Sequence, residues 1–254
     1  MNIALMREVS LSISECEITN ISRKPIDPDE ARRQHEGLAQ ALRELGYKIH
    51  MIQEDRSLPD SAFIEDTAVV LEEIAVITHP GASSRRGETK AVAEALSIYR
   101  DLAFIGESGT LDGGDVLRVG RTLYVGKSCR SSAVGIINLR DIVGQYGYDV
   151  VSVPVNGCLH LKSAVTLVGE GTLLINPSWV DPSLFSGMKL IPVDASEPYG
   201  ANSLLVDGGL LYSISYPGTR KKLEDMGLEV VAVDMTELAK AEADISCCCI
   251  PFTL

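Results

Sequence analysis

The chain has 254 residues and a mass of 27.4 kDa, enough to bury a substantial core. Its composition, 45% hydrophobic and 23% charged with 22 Gly and 11 Pro scattered along the sequence, excludes collagen-like, disordered and low-complexity classes. Thirty-five Asp and Glu against 23 Lys and Arg give a net charge of −12, which argues against a nucleic-acid backbone or an anionic membrane surface as partner and permits a cationic small molecule.

In chain order, Asn2–Met6 reads as a strand, and its opening MNIALMREVS lacks a basic region followed by a long apolar one. No stretch approaches the roughly twenty apolar residues of a membrane span, so a cytoplasmic protein is expected. Leu11–Ile26, with Cys16, Asn20 and Lys24 and no periodicity, reads as a surface loop or lid. Asp27-Pro28-Asp29-Glu30 supplies an N-cap, a proline at N1 and an acid at N3, opening a helix with Ala31, Leu38, Ala41 and Leu45 on one stripe.

A hairpin unit then recurs. Thr67–Val70 pairs with Ile74–Thr78, Val116–Val119 with Thr122–Val125, Ala164–Val168 with Thr172–Ile175, and Ser203–Val206 with Leu210–Ser213, each pair joined by a short polar or Gly-rich turn. Helices follow most of the hairpins, over Ser131–Gly147 and over Thr219–Gly227 with Thr219 as cap, and apolar strands follow the helices at Val150–Pro154 and Val230–Val233. The last strand, Ile245–Phe252, is expected to pair with Asn2–Met6 and close the chain on itself. Repeat units that cannot bury their apolar faces alone predict one radial domain over residues 1–254.

Six cysteines, Cys16, Cys129, Cys158 and the run Cys247-Cys248-Cys249, are expected as free thiols in a reducing compartment. Three consecutive residues in an extended strand would alternate, Cys247 and Cys249 facing one way and Cys248 the other, unlike the C-x-x-C spacing that wraps zinc. Cys248 and Cys249 read as small core hydrophobes, Cys16, Cys129 and Cys158 as structural or incidental, and His35, His50 and His79 as surface or satisfied histidines.

The residues opening the first strand of each unit are polar: Glu65-Asp66, Gly113-Gly114-Asp115, His160-Leu161-Lys162, Ala201-Asn202 and Ser246-Cys247. In a radial repeat these openings converge on one axial pocket, bringing together a thiol, an imidazole and several carboxylates. Asp115 and Asn202 fit structural caps at the repeat openings better than catalytic roles, and Lys162 is open to either reading.

The stretches Pro59–Asp66, Gly81–Arg86, Thr110–Leu117, Leu159–Ser163, Ala201-Asn202 and Ser246–Cys248, in this order over nearly the whole chain, resemble the dimethylarginine dimethylaminohydrolase family. The resemblance implies an α/β fold, a five-bladed α/β propeller of ββαβ repeats. It implies hydrolysis of an Nω-methylated arginine to citrulline and a methylamine through a covalent thiouronium, with no metal or organic cofactor. Carried over, Cys247 is the nucleophile, His160 the general acid/base and Asp112 the carboxylate that orients the imidazole. Asp66 with Glu65 would take the guanidinium, Asp60 the α-ammonium, Arg85 and Arg130 the carboxylate, and the Ile18 and Ala241 carbonyls would complete the pocket. A homodimer is the family expectation.

The chemistry suits these residue types. A resonance-stabilised guanidinium carbon needs a thiolate nucleophile, its leaving amine needs a general acid, and Arg matches a carboxylate with its planar fork of donors. The sequence departs from the family at Ala241–Asp244, where an apolar residue, Asp and Gly are usual, at Ser131-Ser132 in place of Thr-Asn, and in carrying a third consecutive Cys. Arginine or agmatine deimination and amidino transfer are alternative reactions on the same thiol. A non-catalytic alternative is a propeller of the ribosomal anti-association type, which has no need of the thiol, His and carboxylate set.

Overall fold

A computed structural model describes residues 1–254. Its first strand, β1 (Asn2–Arg7), leads through the 11–26 segment to helix α1 (Pro28–Glu44) and then to β2 (Lys48–Ile52). The Asp27 carboxylate caps α1 by accepting from the Asp29 and Glu30 N–H groups at 3.0 and 3.3 Å, as the sequence predicts. The second unit comprises β3 (Ala68–Val70), β4 (Ala75–Ile77), α2 (Thr89–Leu96) and β5 (Leu102–Phe104), and the third β6 (Val116–Val119), β7 (Thr122–Lys127), α3 (Ala133–Gly144) and β8 (Asp149–Pro154). The fourth opens on a short helix α4 (Leu161–Ala164) before β9 (Val165–Gly169), β10 (Thr172–Ile175) and β11 (Lys189–Pro192). The fifth holds β12 (Leu204–Val206), β13 (Gly209–Ser213), α5 (Pro217–Asp225) and β14 (Val230–Val233).

Each unit forms a three-stranded sheet whose middle strand pairs antiparallel with the strand before it and parallel with the strand after the crossover. Five such sheets make an α/β propeller. The first sheet is assembled from distant parts of the sequence, because β15 (Ile250–Thr253) pairs antiparallel with β1 while β2 lies parallel on its other side. The closure expected between the first and last strands is therefore present. No helix is long and apolar enough to cross a membrane.

Three local expectations change. The last strand starts at Ile250, because Ile245–Cys248 winds into a 3-10 turn capped by the Asp244 side chain, so the alternating strand geometry foreseen for the three cysteines does not apply. Cys248 and Cys249 are both buried in the core beside α1. Helix α5 begins at Pro217 rather than at a Thr219 cap, and the Thr219 hydroxyl instead accepts the Asp194 N–H. The 11–26 segment is not purely a surface loop: Ile13, Cys16 and Ile26 pack in the same cluster as Leu38 and Leu42 of α1.

Among the histidines, His50 Nδ1 meets the Tyr99 hydroxyl at 3.0 Å. His35 and His79, in contrast, each bury an Nε2 that has no hydrogen-bond partner. Burial pushes the His35 imidazole down to about 4, so that ring stays neutral in the core.

Leu38 is fully buried between α1 and the chain that packs over it. Leu38→Ala should lower the unfolding free energy by about 2–5 kcal/mol, measurable by urea denaturation; a change below about 0.5 kcal/mol, typical of an exposed site, would contradict the packing described.

Candidate active site

The polar residues that precede the first strand of each sheet do converge, but from tight turns rather than from extended strand ends. Glu65 and Asp66 lie in the 3-10 turn Ile64–Thr67, Asp112 immediately precedes the turn Gly113–Asp115, His160 is at the N-cap position of α4, and Cys247 sits in the turn Ile245–Cys248. A tight turn lets the chain reverse into β3, β6, β9 or β15 while its side chains and free N–H groups face the axis.

Asp112 is fully buried, and its two oxygens are divided. One accepts the Gly81 N–H at 2.8 Å and the other lies 3.0 Å from His160 Nε2. The second carboxylate facing the ring, Asp66, places an oxygen 3.6 Å from Nε2 and accepts the Gly114 N–H at 3.0 Å. Burial alone would lower the His160 pKa; the charge of Asp66, the hydrogen bond with Asp112 and the charges of Asp115 and Asp112 outweigh it and hold the imidazole at about 9. His160 is thus an imidazolium at neutral pH.

Cys247 borders a narrow cavity with Asp60, Asp66, Arg130, His160 and Ala241. Burial, with the nearby charges of Glu65 and Asp66, pushes its thiol well above the ordinary cysteine range, and a backbone hydrogen bond from Asp244 opposes the shift only in part. At rest the pair is therefore a neutral thiol beside an imidazolium. A cation bound in the cavity would reverse the charge seen by the sulfur and favour the thiolate.

The two arginines differ in how much of their donor set is free. Arg85, in the turn before α2, pairs with Asp66, donates to Glu88 from Nε and Nη2 at 3.1 and 2.8 Å, and reaches the Phe63 carbonyl at 2.9 Å. These contacts leave one Nη1 hydrogen uncommitted. Arg130 is also buried, but its Nη1 has no hydrogen-bond partner and stands 3.7 Å from Asp112, while Nη2 touches the Thr19 hydroxyl at 3.3 Å. Asp60 accepts the Glu17 N–H at 3.2 Å, and burial raises its pKa.

Glu65 faces elsewhere. Its carboxylate is held by Lys162 at 2.5 Å and by the Ser246 hydroxyl at 2.9 Å, and it lines a separate axial cavity with residues of all five sheets. Asn202 clamps the nucleophile turn by donating to Ser246 Oγ at 2.9 Å and accepting the Ser246 N–H at 3.1 Å. Asp115 likewise holds the Leu161 N–H at 2.9 Å and the Ser128 hydroxyl at 2.6 Å. Both match the structural-cap expectation.

Ile18 belongs to a segment that covers the cavity. Glu17 N–H is held by Asp60, and the Thr19 and Asn20 N–H groups both donate to the Glu242 carboxylate, the latter at 2.8 Å. Glu242 is the one non-glycine residue with positive φ, 58°. Neither Glu242 nor Gly114 stands out in the sequence as a site residue. A Cβ on Gly114 would lie 2.6 Å from an Asp66 oxygen and 2.8 Å from His160 Nδ1, so only glycine fits beside the ring.

Asp66, Asp112 and His160 present ligand atoms within 4.8 Å of one another, the spacing of a cation site. The guanidinium groups of Arg85 and Arg130 beside the two carboxylates oppose a metal ion there.

Residues 17–183 match the family model described as N,N dimethylarginine dimethylhydrolase, eukaryotic. The chain is 40% identical over 247 residues to an N(G),N(G)-dimethylarginine dimethylaminohydrolase from Streptomyces coelicolor, covering 96% of this chain and 94% of that protein. The chain belongs to the dimethylarginine dimethylaminohydrolase family. The family enzyme of Pseudomonas aeruginosa is 31% identical over 89% of this chain and 90% of its own length. A solved structure of that enzyme, a cysteine-to-serine variant complexed with citrulline, superimposes with a TM-score of 0.92 over 98% of both chains at 28% identity. A dimethylarginine dimethylaminohydrolase adduct with S-methyl-L-thiocitrulline gives 0.94 at 29% identity over 99% of this chain and 100% of that one. The N-terminal domain of ArgZ, an arginine dihydrolase, shares the fold at 19% identity, with a TM-score of 0.87 over 99% of this chain and 98% of its own.

The raised pKa of His160 has a stability consequence. Protons bind the folded state more tightly than the unfolded one, so the contribution is fully present below about 6.5, the ordinary histidine value, and is lost as pH rises through about 9. The thermal midpoint should fall across that window, and His160→Asn should flatten the fall; equal slopes in the two proteins would contradict the charged resting imidazole.

Proposed function

We propose that the chain hydrolyses Nω-methylated arginine to citrulline and the corresponding methylamine, as a single cytoplasmic domain over residues 1–254. The observation that carries this reading is the convergence of Cys247, His160 and Asp66 on one buried cavity, with Asp112 holding the imidazole from behind, within a family whose members are named for the reaction. Six free thiols suit a reducing compartment.

The guanidinium enters beside Asp66, whose charge complements it. Its positive charge lets the Cys247 thiol release its proton to solvent, and the sulfur attacks the guanidinium carbon. The bond to the methylated nitrogen breaks as His160 gives that nitrogen its proton, so the leaving group departs as a neutral amine, which takes up from solvent a proton equal to the one the thiol released, and a cationic thiouronium remains on Cys247. With Nε2 held by Asp112, Nδ1 is the nitrogen left to transfer protons, and the absent side chain of Gly114 keeps the space beside it clear. The now neutral His160 takes a proton from water, the resulting hydroxide adds to the same carbon, and the C–S bond breaks as the departing sulfur takes up the proton of the new hydroxyl, giving citrulline, the neutral thiol and the imidazolium.

At the amino-acid end, Arg130 with its unpartnered Nη1 takes the substrate carboxylate, assisted by the remaining Nη1 hydrogen of Arg85, while Asp60 takes the α-ammonium. The carbonyls of Ile18 and Ala241 are the remaining acceptors there. Glu65 acts through the turn that carries Cys247, via Ser246, and does not reach the substrate. The cavity has room for about one water, some 20 Å³, so the 17–20 segment must lift from Asp60 and Glu242 for substrate to enter.

Incubation with asymmetric dimethylarginine, arginine and agmatine, with ureido product, dimethylamine and ammonia assayed separately, tests the reaction. Dimethylamine and citrulline are expected in equal amounts from the first, with a loss of about a thousandfold or more in Cys247→Ser; ammonia from arginine without dimethylamine from its methylated form would replace hydrolysis of the methylated substrate by deimination. Gly114→Ala should lower kcat by about a hundredfold through displacement of His160 and Asp66, with the fold retained by circular dichroism. Wild-type turnover in that variant would remove the spatial requirement assigned to Gly114.

A further inference from the structure

A second cavity of about 220 Å³ meets the reaction cavity at Cys247, Leu159, Glu242 and Ala243. Its outer wall is Tyr199, a partly exposed ring braced edge-on by Trp179 at a centroid distance of 4.9 Å. Deeper in, Tyr216 and the buried Asp244 face Cys247, and Ile21 of the covering segment closes the top. The walls are mostly apolar or aromatic, Ser163 and Asn202 add neutral polar groups, the two acids are Glu242 and Asp244, and no Lys, Arg or His lines the space. Such a lining suits a small cation bearing alkyl groups and repels a carboxylate.

Resting on the hydrolysis proposed above, we infer that this side cavity receives the leaving amine, which takes up from solvent a proton equal to the one the thiol released and passes as an alkylammonium ion from Cys247 toward Tyr199 and the surface before water attacks the thiouronium. Water attacks the same carbon that the amine leaves, so the two compete for one position beside Cys247. The amine must therefore vacate it between the two half-reactions, and the side cavity begins at the sulfur where the amine is released. The Glu242 carboxylate at the junction of the two cavities favours the protonated amine and discourages its return as a neutral nucleophile. The same geometry makes Tyr199 and Ala239, which both line the space, determinants of how large an alkylamine can be released.

The test uses the full chain and does not depend on turnover. Cys247 is labelled with chloroacetamidine in the presence of dimethylammonium chloride, against sodium chloride at equal ionic strength. Dimethylammonium should slow labelling of the wild type, and Tyr199→Ala, which removes an exposed ring and leaves the core intact, should weaken that protection by about two- to fivefold. Ala239→Leu, which fills the space, should abolish it while chloroacetamidine alone still reacts within about twofold of wild type. Absence of protection in the wild type, or equal protection in Tyr199→Ala, would overturn the inference. Citrulline release from asymmetric dimethylarginine by the wild type is scored in parallel: its absence sinks the proposed reaction, whereas its presence with unprotected labelling sinks only the side cavity.

Discussion

The buried ionic cluster at the propeller axis is the constraint on which the rest depends. Asp66, Asp112, Arg85, Glu88 and His160 are all removed from water, and each would be strongly destabilising if stripped of its partners. They are tolerated because opposite charges and backbone N–H groups meet nearly every oxygen: Gly81 and His160 on Asp112, Gly114, His160 and Arg85 on Asp66. The arrangement keeps the imidazole charged and the thiol neutral. That is a poor nucleophile at rest and a ready one once a cation arrives, so the cost of burying charge is coupled to discrimination for a cationic substrate.

The propeller supplies this cluster from separate sheets without long loops. Every sheet is preceded by a chain reversal, and four of the reversals present Asp66, Asp112, His160 or Cys247 to the axis, while Asn202 at the fifth fixes the turn beside the nucleophile through Ser246. Placing reactive groups on turns held by the core gives each side chain a backbone that cannot drift, the condition for positioning a nucleophile against an acid within a few tenths of an ångström.

Much of this was legible because it rests on local pattern. Hairpins such as Val116–Val119 with Thr122 onward follow from β-branched runs around a Gly-containing turn, and Asp27 and Pro28 mark the start of α1. The convergence of polar openings on one cavity also followed from the repeat. What was not legible is tertiary. Glu65 and Asp66 are adjacent in sequence, yet the tight turn sends them to different cavities. Arg85 and Arg130 are the same residue type, and only packing decides that Glu88 occupies much of one while the other keeps a free donor. The three cysteines alternate on paper, but the Asp244 cap winds them into a turn.

The stitching of the first sheet from both extremes of the sequence carries a temporal consequence. Antiparallel pairing of β15 with β1 is the most non-local contact in the ring, and such contacts form late because their loop entropy is met only after the intervening units have condensed. During vectorial synthesis the other four sheets can assemble first, while the final turn is still being made. The Cys247 thiol therefore joins His160, Asp112 and Asp66 only as the ring seals.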